Sequence, residues 1–196
     1  PRALPEVRFP ARGHIIVLFA MTKLRWLMLG LLFAATTVNY LDRIVLGVVI
    51  KNIREDFHIS DADYGNITAA FQFAYMIGFL LAGWLIDRLG TKIGYAISIA
   101  WWSVAAMLHG FANGAWSLAF WRGMLGLGEA GNFPSAIKAV AEWFPKKDRA
   151  FATGIFNAGT NVASMVGPPI FAWMVLHLGW RQCFYITGAA GLLWLF

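Results

Sequence analysis

This 196-residue chain is poor in cysteine and in charge: Cys183 stands alone, and Asp, Glu, Lys and Arg together make only 13% of it. One cysteine excludes an intramolecular disulfide and offers no thiolate metal cluster. The formal net charge of +6 does not point to nucleic acid. The basic residues stand between apolar segments and not along one polar face, so they read as topology signals. A His, Ser or metal cluster near one membrane interface, which a polytopic membrane enzyme needs, is missing too. The chain is therefore read as a non-enzyme without metal or cofactor.

What the chain has in excess is apolar surface. Hydrophobic residues make 59% of it, and aromatic residues 16%, with ten Trp and sixteen Phe. A soluble domain of this length cannot bury so much apolar surface, whereas lipid solvates it directly. The aromatic content fits belts at the membrane interfaces.

A helix needs roughly 20 residues to cross the hydrocarbon core. Six apolar stretches qualify, over residues 26–48, 64–86, 93–112, 115–140, 151–176 and 180–196. Short polar or turn-forming connections separate them, among them Arg54-Glu-Asp-Phe-His58 and Pro145-Lys-Lys-Asp-Arg149. The fold class predicted is all-α, a polytopic membrane protein. Residues 1–22 differ: they are rich in Pro and Arg, and the apolar run Ile15–Ala20 is too short to span. They are expected to be an N-terminal extension without function, with the membrane unit over 23–196.

Basic residues set the orientation. Lys23 and Arg25, Arg88 and Lys92, and Lys146, Lys147 and Arg149 fall at alternate connections. The positive-inside rule places those connections, and the N-terminus, in the cytoplasm of a multi-pass plasma (inner) membrane protein. Gly167-Pro168-Pro169 lies deep in span five and is expected to kink it.

Four ionisable residues fall inside spans: Asp42 and Arg43 in the first, Arg122 and Glu129 in the fourth. A charge at the bilayer centre costs at least roughly 2.5–3.5 kcal/mol on insertion scales, so these must pair, face water, or both. Asp42 lies about 25 Å along its helix from Arg25 at 1.5 Å per residue. Arg122 and Glu129, seven apart, share a helical face, with Gly126 between them leaving room for a close neighbour. A desolvated carboxylate takes up a proton more readily, and a desolvated Arg stays charged and grips carboxylates by two parallel hydrogen bonds. Together they offer what proton-coupled uptake of an organic anion requires. The competing reading is structural: Asp42–Arg122 or Arg43–Glu129 salt bridges holding spans one and four together. Polar groups such as Tyr40, Tyr75, Asn157 and Thr160 either meet sugar hydroxyls or glue helices. Lys138 and Glu142, four apart, read as a surface ion pair. His58, His109 and His177 receive no role.

The segment Gly83-Trp-Leu-Ile-Asp87-Arg88-Leu-Gly90-Thr-Lys92 resembles the loop between the second and third helices of major facilitator superfamily transporters. Further stretches resemble the anion:cation symporter branch, which includes sugar-acid carriers, sialin and vesicular glutamate carriers. They are Asn39-Tyr40-Leu-Asp42-Arg43, Arg122-Gly-x-x-Gly-x-Gly-Glu129 and Pro134-x-Ala-x-Lys138 through Glu142-Trp143-Phe144-Pro145. The nearest likeness is to bacterial hexuronate transporters. The resemblance implies a proton-coupled symporter of a hexuronate or related sugar acid, working by alternating access. In that reading Arg43 binds the substrate carboxylate, Tyr40, Tyr75, Asn157 and Thr160 line the site, and Asp42 and Glu129 couple protons with Arg122 pairing to one of them. Gly83, Asp87, Arg88, Gly90 and Lys92 gate the cytoplasmic face. Such carriers have two six-helix halves, so the chain is expected to be the N-terminal half, with the C-terminal half of the same transporter as its partner. Alternatives are a symporter of another organic anion (aldonate, aldarate or aromatic acid) and a non-transporting membrane scaffold on the same fold.

Overall fold

The computed structural model describes the backbone of residues 12–196 and the side chains from residue 23 onwards. Of the extension expected over 1–22, residues 1–11 lie outside the described residues. The described chain is helical throughout, in the order α1 (Arg12–Phe57), α2 (Asp61–Leu89), α3 (Thr91–Leu108), α4 (Ala115–Glu129), α5 (Asn132–Trp143), α6 (Arg149–Leu178) and α7 (Trp180–Leu193). Short 3-10 turns, His109–Phe111 and Lys146–Asp148, follow α3 and α5. The segments Lys23–Phe57, Asp61–Leu89, Thr91–Phe111 and Lys146–Leu178 are each long and apolar enough to cross a membrane.

Local chemistry explains the ends. Ser60 caps α2 reciprocally: its Oγ accepts from Asp63 N–H at 3.1 Å while Asp63 Oδ2 accepts from Ser60 N–H at 3.0 Å, an arrangement that satisfies two orphan donors. At the other end of α2, Gly90 takes φ +81°, and Gly179 after α6 takes φ +84°. Both are left-handed positions that a side chain would strain.

Span four is not the single helix that the apolar pattern predicts. It breaks between α4 and α5, where Pro134 offers no N–H to the Ala130 carbonyl four residues earlier. The turn tightens instead, with Gly131 N–H donating to Gly128 O at 3.3 Å. In contrast, α6 runs through Pro168 and Pro169 as one helix. There Gly167 lets α1 close in: a Cβ at this position would stand 3.1 Å from Leu41 Cδ2.

α1 packs mainly on α6, α2 on α4, and α3 on α7 and α4. The interior divides into two apolar clusters. One gathers Leu29, Leu32, Ile99, Trp102, Leu125 and Phe156; the other gathers Val45, Val49, Ile53, Leu118, Phe171 and Phe184. Between them, along α1 and α4, lie the buried polar residues Thr36, Asn39, Asp42, Arg122 and Glu129. The indole N–H groups of Trp101, Trp180 and Trp194 each find an acceptor at 2.8 Å, as partly buried indoles usually do.

The α2–α4 contact depends on glycine. A Cβ on Gly126 would meet the Phe71 carbonyl oxygen at 2.5 Å and Tyr75 N at 3.2 Å, both backbone atoms that cannot yield, whereas Gly154 faces open space. Gly126→Ala is therefore expected to lower the stability of the detergent-solubilised protein by about 1–3 kcal/mol. Gly154→Ala should leave it unchanged or slightly raised. Thermal unfolding followed by tryptophan fluorescence checks both.

Candidate functional site

Consecutive residues of a helix point about 100° apart, and this geometry separates Asp42 from Arg43. Arg43 turns towards α2 and α4. Its Nε donates to Glu129 Oε2 at 2.5 Å, and its guanidinium lies 4.5 Å from the Tyr75 ring centroid, 4.9 Å from that of Tyr40 and 5.3 Å from that of Phe71. Three aromatic faces thus hold one cation in place, by an attraction that strengthens on desolvation. Glu129 is fully buried, while the Arg43 side chain keeps 23% of its surface exposed. The pair therefore has one fully buried member and one partly exposed member.

Asp42 turns the other way and is fully buried. Its two carboxylate oxygens have no hydrogen-bond partner among the described residues. The α7 side chain Thr187 stands beside it, and Arg122 and Glu129 lie within electrostatic reach. The Thr187 hydroxyl itself is turned to the Phe184 carbonyl oxygen at 3.3 Å.

Arg122 corrects one structural expectation. It forms no hydrogen bond with the Asp42 carboxylate; its Nη1 donates to the Asp42 carbonyl oxygen at 3.1 Å and its Nη2 to the Arg43 carbonyl oxygen at 2.8 Å. Helix carbonyls have a second lone pair beyond the one used in the helix ladder, and here α4 takes it. The planar fork of Arg spans two successive carbonyls, with Phe71 beneath it at 4.9 Å. The other expected salt bridge, Arg43–Glu129, is present. Removing one partner of a buried pair costs about 3–5 kcal/mol, because the other charge is left uncompensated.

The remaining predicted residues fall in two places. Asn157 is exposed on α6, and Thr160 Oγ donates to its carbonyl oxygen at 2.8 Å; no hydrogen bond among the described residues joins either to Arg43. Gly83, Asp87, Arg88, Gly90 and Lys92 gather at the α2–α3 hinge, where Arg88 covers Trp84 at 4.3 Å. Asp87 accepts from Lys138 Nζ at 2.7 Å, which donates also to Ile86 O at 3.2 Å. Glu142 accepts instead from Thr91 Oγ at 2.6 Å. Lys138 and Glu142 thus do not pair with each other: both reach across to the hinge and tie α5 to it. Sequence reasoning passed over Phe71 and Thr187, and it read Lys138 as the partner of Glu142 where the structure pairs it with Asp87. Phe71 was within reach of it, since it stands four residues before Tyr75 on the same face of α2.

Residues 32–196 match the Major Facilitator Superfamily. The chain belongs to that superfamily. It is 38% identical over 177 residues to a galacturonate transporter of Dickeya chrysanthemi, which covers 90% of this chain and 51% of the relative. It is 37% identical over 171 residues to the hexuronate transporter of Escherichia coli (strain K12), covering 87% and 40%. Among solved structures, it is similar to a bacterial homologue of the human lysosomal transporter Spinster in an inward-facing, occupied conformation. That likeness has a TM-score of 0.74 and 26% identity, over 87% of this chain and 43% of that one. The chain spans about half the length of the curated relatives it matches. Superfamily members are membrane transporters and not enzymes, in agreement with the expectation from composition.

The fork of Arg122 also yields a prediction. Lys keeps the charge but cannot bridge two carbonyls 3 Å away in a fixed plane. Arg122→Lys is expected to lower the melting temperature of the full-length protein by several degrees, equivalent to about 1.5–3 kcal/mol for charge-assisted bonds lost. An unchanged melting curve would mean that the clamp does not hold α1 to α4.

Proposed function

We propose that the chain is the N-terminal half of a proton-coupled symporter that carries a hexuronate or related sugar acid across a bacterial inner membrane by alternating access. The N-terminus and the α2–α3 hinge then lie in the cytoplasm, and the C-terminal half supplies the opposite cavity wall. One observation carries this reading: Arg43 is paired at Nε with a fully buried Glu129 and yet its side chain remains partly exposed.

That geometry makes the proton and the substrate carboxylate interdependent. While Glu129 is ionised, it neutralises Arg43 and holds it back. A proton on Glu129 removes the competing charge, and the guanidinium then meets a substrate carboxylate through two parallel hydrogen bonds. Tyr40 and Tyr75, which already flank Arg43, supply hydroxyls and ring faces for the sugar. Asn157 and Thr160 contribute from α6 if the C-terminal half closes over them. Asp42 is the second proton-coupling carboxylate, and Arg122 keeps α1 in register with α4 while the charges change. At the cytoplasmic face, Gly83, Asp87, Arg88, Gly90 and Lys92 act as the gate, with Lys138 steadying Asp87. Relatives named for hexuronate, galacturonate, D-galactonate and galactarate/D-glucarate transport lie within 35–38% identity, which supports a sugar acid and favours no single one.

The test uses the full-length transporter in proteoliposomes. Glucuronate and galacturonate uptake should rise as the outside pH falls and collapse when the gradient is dissipated. Glu129→Gln should abolish that dependence while leaving exchange of substrate for substrate. Arg43→Lys should lose about 100-fold in uptake efficiency, the value of about 2.7 kcal/mol from a bidentate carboxylate contact. Gradient-driven uptake by Glu129→Gln equal to wild type would disprove the coupling role.

A further inference from the structure

Apart from the Arg43–Glu129 pair, the interior holds a set of buried polar atoms that the substrate side does not use. Asn39 and Asp42 come from α1, Ser103 from α3, His109 from the 3-10 turn after it, Arg122 from α4 and Thr187 from α7; none is more than 7% exposed. Both polar atoms of Asn39, both oxygens of Asp42, Ser103 Oγ, His109 Nε2 and Arg122 Nε have no hydrogen-bond partner among the described residues. Buried polar atoms are seldom left unpaired, and so many in one set are not sustained dry.

Several contacts join neighbouring members of this set. Asn39 stands one turn before Asp42 on the same face of α1. Thr187 stands beside Asp42, and its hydroxyl meets the Phe184 carbonyl oxygen. The His109 ring stacks on the Phe184 ring at 5.0 Å and lies within electrostatic reach of Arg122. Ser103 packs against Gly188 and Gly191, the next turn of α7 beyond Thr187. In a neutral His109 ring, Nδ1–H donates to the Ala105 carbonyl oxygen at 2.8 Å, which leaves Nε2 a bare acceptor. Arg122 Nε–H is a bare donor, and Asp42 and Asn39 add acceptors and an amide donor. Water, with two donors and two acceptors, is the molecule that satisfies such a mixture.

We propose that this set forms a buried water-binding site, and that Asp42 exchanges its proton with that water and not with the substrate cavity, His109 Nε2 being the acceptor that anchors the water at the 3-10 end. The adjacent residue Arg43 takes the cavity face, and the Arg122 fork on the α1 carbonyls closes the space between the two. The charged groups within electrostatic reach of Asp42 are Glu129 and Arg122 of α4, with Arg43 next to it in α1, and α7 presents Thr187; His109 of the 3-10 turn lies within reach of Arg122. Each transfer breaks one O–H bond as another forms, so a proton leaving Asp42 is taken by a water that releases one of its own. The proton route rests on the reading of Asp42 as a coupling carboxylate; the water site does not.

Two measurements on the full-length transporter decide between these. In brief radiolytic labelling, hydroxyl radicals form from water next to a side chain and report buried water directly. Phe184 should be modified at least about fivefold faster than Phe156, which is equally buried in the other apolar cluster. Equal, slow labelling of both would mean that the set is dry and overturn the site. In proteoliposomes, the ratio of gradient-driven uptake to substrate counterflow should fall about tenfold in His109→Phe, which keeps the stacking but has no acceptor. It should stay within about twofold in His109→Gln, whose amide oxygen still accepts from water. An unchanged ratio in His109→Phe, or an equal fall of both rates, overturns the proton route. A wild type whose uptake ignores the gradient overturns proton coupling itself, while the labelling still decides the water site.

Discussion

Everything in this bundle is arranged around the cost of keeping four charges away from water. Asp42, Arg43, Arg122 and Glu129 sum to zero formal charge, and three of them are buried almost completely. An isolated ion at such depth would be very costly, so the surrounding structure compensates each one differently. Glu129 is neutralised by Arg43. Arg43 is cradled by aromatic faces, and Arg122 spends its donors on main-chain carbonyls. Of the four, only the Asp42 side chain has no hydrogen-bond partner among the described residues, with Thr187 standing beside it, which makes it the natural place for a proton or water.

The glycines serve the same end. Salt bridges and carbonyl clamps need helices closer than side chains usually permit, and Gly126 brings α4 against the α2 backbone at the level of Phe71 and Tyr75. That approach puts the aromatic cradle beneath both guanidinium groups. Gly159 does likewise for α6 on α1, where its backbone lies against Phe33 and Thr37. In lipid, where apolar burial gives little net drive between helices, such close packing is what holds a bundle together.

The hinge lies between α2 and α3 and the four charges lie on α1 and α4, and α5 connects the two mechanically. Lys138 and Glu142 anchor the hinge from α5, whose first turn follows directly on Glu129 across the Pro134 break. A change in the charge on Glu129 and a movement of the hinge therefore act on one rod, with a softened joint where Pro134 removes a helix hydrogen bond.

Sequence periodicity and charge placement by themselves determined the class: helices long and apolar enough to cross a membrane, the charged hinge, and the four intramembrane charges. These follow from local physics, because apolar run length and isolated charge can be read without knowing what packs where. Sequence also limited the pairing to two alternatives between spans one and four, and the Arg43–Glu129 bridge was one of them. Only the tertiary structure decided the rest. That Arg122 holds carbonyls in preference to a carboxylate depends on how deeply α4 sinks against α1, which no residue spacing reveals. That Lys138 crosses to Asp87 in preference to Glu142 one turn away depends on where α5 meets the α2–α3 hinge. His109, Thr187 and Ser103 looked unremarkable along the chain. They matter because helix packing buries all three and sets Thr187 beside Asp42, and depth within a bundle is a property of the packing alone.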